Sequence, residues 1–290
     1  MAGPLYPLRS YGDTDLQFVK LKVLHRNGTP AGLKKVTWPE HPLDNAICGI
    51  QVTMVPDKKN GIEFFQQLIA TAFFIAPGVA ISTWHVFKDY LPEPVNGKWE
   101  NAPLPAEFQI VSFGNQGSLS VWPISSFSVG EDANGGSDLT SIGCHLHGDQ
   151  PVNKVHGYLE TSARFPAIGE RLHMRGFKES SPRSWNEYPI RLTQYESAGT
   201  VIEVYPNGRG NMPRGPCFCI DSGATGGMSG APVFDNNGLV IGVLSTGNDD
   251  PNSGYSVVSS VAPIFSHKIT QTWRPEKDRS ATIREILTSA

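Results

Sequence analysis

What is scarce in this chain narrows the field before any motif is read. Four cysteines, Cys48, Cys144, Cys217 and Cys219, occur in 290 residues. Their spacing builds no disulfide framework, so reduced thiols in a cytoplasmic setting are the expectation. Charged residues make up 18% and the net charge is −3. Without a basic field, neither nucleic acid nor an anionic membrane is an expected partner. No run of about 18 apolar residues occurs that would span a bilayer. The opening "MAGPLYPLRSYGDTD" lacks the basic start and unbroken apolar stretch of a secretory leader.

What is plentiful points to β-structure. Glycine occurs 30 times and proline 23 times, a density of chain breakers that suits many turns better than a helix bundle. The length allows one large domain or two small ones. Short apolar runs separated by Pro, Gly, Asn and Asp follow one another: "AICGIQVTMV", "FQQLIATAFFIA", "GVAISTWHVF", "EFQIVSFG", "LSVWPISSFSVG" and "SDLTSIGCHL". A second series holds "RLHMRGF", "IRLTQYESAGTVIEVY", "CFCIDSG", "GAPVFDNNGLVIGVLS" and "GYSVVSSV". Two sets of about six strands predict two packed antiparallel β-barrels, an all-β fold. The first should run over about 43–150 and the second over about 151–262, together within 43–270. Residues 1–42 read as an N-terminal extension, with a hairpin around the Asn-Gly of "DLQFVKLKVLHRNGTPAGLKKVTW". Residues 271–290 read as a C-terminal surface helix or a frayed tail.

The chemistry gathers around "TGGMSGAPVFD", residues 225–235, where Ser229 is nearly enclosed by glycine. Such a stretch is a tight turn or a reaction site. "DNNG" at 235–238 is a hairpin signal and sets Ser229 just before its first strand. A serine hydroxyl is a weak nucleophile, so acyl transfer needs a base and a group that orients the base. His85 ends the apolar run "GVAISTWHVF", and Asp138 heads "SDLTSIGCHL" at an expected barrel edge. Each alone reads more readily as structural, the aspartate as a turn residue.

The order His85, Asp138, Ser229, with these anchor segments, resembles the trypsin-like (chymotrypsin-fold) serine proteases over roughly residues 43–270. "GMSGAP" before "VF" is the most specific match. The resemblance implies a chymotrypsin-like double barrel and a serine endopeptidase with Ser229 as nucleophile, His85 as general base and Asp138 as its orienter. The N–H groups of Gly227 and Ser229 would form the oxyanion hole. Gly223 would lie at the base of the pocket for the side chain before the cut, and Ser245, Thr246 and Gly247 along the substrate-binding edge. A protein or peptide substrate is implied, with no cofactor and no metal, and a regulatory partner would restrain a protease of this kind.

Departures from the family carry information too. Met228 stands where secreted members place the aspartate that pairs with a newly cut N-terminus, so activation by N-terminal cleavage is not expected. No cysteine follows Cys219 to close the usual bridge around the nucleophile. Trp84 replaces a common alanine before His85, and Ala72 a frequent glycine. Gly223 is no acid and Leu244 no histidine, so the residue before the cut should be uncharged unless Asp221 turns into the pocket. Other readings are weaker. Ser222 in "DSG" lacks the Gly-Ala-Pro that should follow. Ser229, Asp249 or Asp250, and His267 run in the α/β-hydrolase order, but without alternating βα units. Cys144, His145, His147, Cys217 and Cys219 are zinc-type ligands at ill-matched spacing. The alternative to an enzyme is a protease-like module that binds a peptide without cutting it.

Overall fold

The computed structural model describes residues 17–21, 34–35, 43–54, 65–88, 90–91, 106–113, 119–129, 137–145, 155–181, 192–210, 213, 215–246, 254–270 and 280–289. Strands dominate. The first barrel is built from β3 (Ile47–Met54), β4 (Phe65–Ala76), β5 (Val79–Thr83), β6 (Ala106–Phe113), β7 (Leu119–Val129) and β8 (Leu139–Cys144). They close as β3-β4-β5-β8-β7-β6, all neighbours antiparallel. The second barrel comprises β10 (Arg171–Phe177), β11 (Gln194–Tyr205), β12 (Cys217–Ile220), β13 (Pro232–Phe234), β14 (Val240–Thr246) and β15 (Ser256–Ser260). It runs β10-β13-β14-β15-β12-β11 and closes through the β10–β11 pairing. The expected double barrel is therefore the fold.

Strand periodicity explains why the barrels pack as they do. Side chains on a strand alternate between faces, and in β4 and β5 both faces are apolar. Ala72 and Phe74 of β4 and Ala80 of β5 fill the interior of the first barrel with Ile50, Trp122 and Ile142. Their neighbours Phe73, Ile75 and Ile81 point the other way, into a core shared with Phe177, Phe234 and Val243 of the second barrel. The run "ATAFFIA", apolar but for Thr71, thus serves two cores at once. The second barrel has its own interior of Leu172, Met174, Val201, Phe218, Ile241 and Val258. The β13–β14 hairpin turns on Asp235, whose Oδ1 accepts the N–H groups of Asn237 (2.8 Å) and Leu239 (3.0 Å). Arg164 binds the other oxygen at 2.7 Å and Glu170 at 2.5 Å.

The N-terminus departs from expectation. β1 (Gln17–Leu21) and β2 (Lys34–Lys35), the described strands of the expected N-terminal hairpin, do not pair with each other. β1 lies parallel to β9 (Val155–Leu159), and β2 adds to the edge of β11. The Asn-Gly at 27–28 lies outside the described residues. At the other end, β16 (Lys268–Thr270) pairs with β17 (Ser280–Thr282) ahead of a short helix, Ile283–Ser289. This is the expected C-terminal helix, tied down by Ile283 and Ile286, which are buried in the shared core. Among the described residues no helix is long and apolar enough to cross a membrane.

Candidate active site

His85 does not end a strand as the apolar run suggested. β5 stops at Thr83, and His85 opens a helical turn, His85–Lys88, whose Phe87 and Lys88 N–H groups return to Trp84 O at 3.0 and 3.4 Å. The turn is held by burial of Phe87, which packs edge-on against Phe108 and Phe127 at centroid distances of 5.1 and 4.7 Å. Trp84, the bulky departure before the histidine, lies roughly parallel to Phe87 at 6.4 Å. Asp138 immediately precedes β8, and its carbonyl accepts Trp84 N–H at 3.1 Å.

The Asp138 carboxylate is a hub. Oδ1 accepts the backbone N–H of His85 at 3.0 Å, and Oδ2 lies 2.7 Å from His85 Nδ1. Oδ2 also accepts the Ser245 hydroxyl at 2.9 Å. An ionised carboxylate can only accept, so the proton of the His85–Asp138 bond sits on Nδ1. Nε2 is then the basic nitrogen. The aspartate side chain is 14% exposed and the histidine 33%, which leaves the far edge of the ring open to a reacting group. Ser245 was expected only as a substrate edge. Its hydroxyl donates to Asp138, so at 2.7 Å from Ser259 Oγ it accepts the proton of Ser259.

Ser229 sits across from this hub, joined to it through Ser245. The Ser229 hydroxyl donates to Ser245 O at 3.2 Å and makes no hydrogen bond with His85. The backbone around it is clamped from two sides. Thr71 of β4 donates its N–H to Ser229 O (2.8 Å) and its hydroxyl to Gly227 O (2.8 Å), while Gly230 N–H reaches Leu244 O of β14 (2.7 Å). Gly227 and Gly230 both hold positive φ, +90° and +87°. A Cβ at Gly227 would collide with the backbone of Glu179, and one at Gly230 with Thr71 O and Ser82 Oγ. Only glycine fits such positions. Met228, Gly230 and Ala231 spend their N–H groups on Thr225 O, Leu244 O and Met228 O. Those of Gly227 and Ser229 have no partner among the described residues. The Met228 side chain is fully buried in the interior of the second barrel, against Leu172, Ala231 and Leu244 among others.

The remaining expected residues divide. Gly223 is buried at the start of the loop, Thr246 is half-buried at the end of β14, and Gly247 lies outside the described residues. Asp221 is exposed, and its Oδ1 accepts Thr200 N–H of β11. Ser222 is 3% exposed and bonded to Ser197 Oγ. His267 is buried with Nδ1 2.9 Å from Ser141 Oγ, while Asp249 and Asp250 lie outside the described residues. Cys48, Cys144, Cys217 and Cys219 are all buried and unbridged. Burial pushes the Cys217 thiol up to about 11 and raises Cys48, Cys144 and Cys219 as well. No group of three or more metal-ligating side chains forms among the described residues, and His147 lies outside them.

Two residues missed in the sequence shape this site. Thr71 bonds both ends of the nucleophile loop and accepts Phe177 N–H at 2.8 Å. A lone hydroxyl inside the apolar run "IATAFFIA" was the available signal. Glu179 donates its N–H to Gly226 O at 2.7 Å, and no local pattern marked it. In comparison with known families, residues 70–243, more than half of the chain, match the model of the trypsin-like peptidase domain. A search of curated proteins finds no match.

Proposed function

The chain belongs to the trypsin-like peptidase family, and from that premise we propose that it is a serine endopeptidase working through Ser229, His85 and Asp138. A peptidase domain takes protein or peptide substrates. The observation that carries the proposal is the Asp138 hub, which fixes the His85 ring by Nδ1 at 2.7 Å and by the backbone at 3.0 Å. In the proposed cycle, the Ser229 hydroxyl rotates from Ser245 O to His85 Nε2. It attacks the peptide carbonyl as Nε2 takes its proton. The unspent N–H groups of Gly227 and Ser229 meet the developing oxyanion. His85 passes the proton to the leaving amine, and water then releases the acyl group by the reverse sequence.

Burial of Met228 supports a nucleophile loop that forms without a newly cut N-terminus. Gly223, where no acid stands, supports preference for an uncharged residue before the cut. A cytoplasmic location and a regulatory partner belong to the same proposal, motivated by the four unbridged thiols and by Met228 standing where an aspartate would pair with a newly cut N-terminus. The second reading, a silent peptide-binding module, draws on the Ser229 hydroxyl resting on Ser245 O. Incubation with a proteome-derived peptide library separates them. The proposal expects new termini, abolished by Ser229→Ala. Peptide retention without cleavage supports the second reading and overturns the first.

A further inference from the structure

The nucleophile has two flanks. On one, β14 meets it through Leu244 O and Ser245 O; on the other, β4 meets it through Thr71, which bonds Ser229 O and Gly227 O. If the acyl half of a substrate follows the β14 edge, the leaving half runs out over the β4 side, past Gly226 and Gly227. Gly226 is exposed there and offers no side chain. Glu179 does. Its backbone N–H is clamped on Gly226 O, and a Cβ built on Gly226 would stand 3.0 Å from Glu179 Oε2. Ser180 next to it is bolted to β4, with N–H to Leu68 O at 3.1 Å and Oγ accepting Leu68 N–H at 2.9 Å.

The carboxylate itself is held and half spent. Gln67 Nε2 donates to Oε1 at 2.5 Å. Oε2 accepts no hydrogen bond and pairs with no cation among the described residues, and Glu179 is exposed. A fixed, unpaired anionic oxygen at the rim of the nucleophile loop has already lost the rotamer freedom that usually weakens a surface ion pair. It attracts an ammonium or guanidinium and repels a carboxylate on the same stretch of substrate.

From this we infer that Glu179 is a specificity determinant that selects lysine or arginine among the first residues on the leaving side of the cut. The inference rests on the peptidase reading. Cleavage of a peptide library, with sequencing of both sides of each cut, measures it. Lys and Arg should be enriched about three- to fivefold over Glu and Asp in the first two positions of the leaving fragment, the range of an exposed ion pair. The enrichment should shrink with added salt. Glu179→Gln should abolish it and Glu179→Lys should invert it, whereas preference before the cut stays as in the parent.

A binding arm keeps the inference apart from catalysis. The Ser229→Ala protein is titrated with fluorescent pools of uncharged random octapeptides carrying one Lys or one Glu. Tighter binding of the Lys pool, lost on adding Glu179→Gln, supports the inference even if the parent cuts nothing, an outcome that would defeat only the peptidase reading. Equal binding of the pools, or an enrichment unchanged by Glu179→Gln, overturns it.

Discussion

The two barrels hold their shares of the site by different physics. The first supplies His85 and Asp138 through polar geometry, with charge-assisted hydrogen bonds of 2.7–3.0 Å converging on one carboxylate. The second supplies Ser229 on a loop held by backbone hydrogen bonds and by shape, with no charged group bonded to it among the described residues. Two glycines at positive φ let the loop lie against foreign backbone, and one buried methionine pins its centre. The difference teaches where each half is vulnerable. A polar hub fails when one group loses its charge or tautomer, with the fold intact. A steric clamp fails when volume or polarity changes, and it takes local stability with it.

Asp138→Asn is the sharpest break of the polar half. An amide there favours the wrong tautomer of His85, so turnover should fall about 10⁴-fold while the thermal melting point stays near that of the parent. A collapse of the melting point together with activity would erase the distinction between the halves.

Met228 tests the steric half in the opposite way. Met228→Asp would leave an unpaired carboxylate in the interior of the second barrel and should cost about 3–5 kcal/mol of stability in denaturant titration. Met228→Leu, close in volume, should cost below about 1.5 kcal/mol. Equal costs for the two would show that burial does not pin the loop.

A third measurement asks whether the β1–β9 ribbon, outside both halves, carries its own sensitivity. His156 on β9 is buried edge-on against Trp122 with ring centroids 4.8 Å apart, and burial lowers it from 6.5 to about 4. The unfolded chain therefore binds the proton first as acid is added. Stability should be unaffected above about pH 6.5 and fall by up to about 3 kcal/mol as pH drops from about 6.5 to about 4. His156→Phe should flatten that fall. An unchanged pH profile would contradict the burial account.

The smallest effect is at the C-terminus. Thr282 N–H reaches Glu285 Oε2 at 2.8 Å and Thr282 Oγ1 accepts Glu285 N–H at 3.3 Å, a reciprocal cap on the last helix. Thr282→Ala should cost about 1 kcal/mol, read by chemical denaturation, with turnover unaltered.

These elements also explain what the sequence could and could not disclose. The strands of both barrels were legible because each is a short apolar run between breakers, and period two decides which core each side chain enters. The N-terminal strands were not. β1 and β2 find partners far along the chain, at 155–159 and 195–196, and no local pattern announces a parallel ribbon. The cap Thr282-x-x-Glu285 was readable in principle but sat inside a charged stretch that read as surface. At the site, His85 and Asp138 were singled out, but the helical turn at His85 was hidden by the apolar residues on either side of it. The second role of Ser245 was hidden because its hydroxyl and its carbonyl serve opposite faces. Glu179 acts across more than a hundred residues from Gln67, a relation only the fold creates.

Labelling with a serine-directed fluorophosphonate followed by peptide mapping tests the central claim most directly, because an unactivated serine reacts too slowly to be marked. The account predicts modification of Ser229 alone, lost in His85→Ala. Modification of Ser222, or labelling of Ser229 that survives His85→Ala, would contradict it.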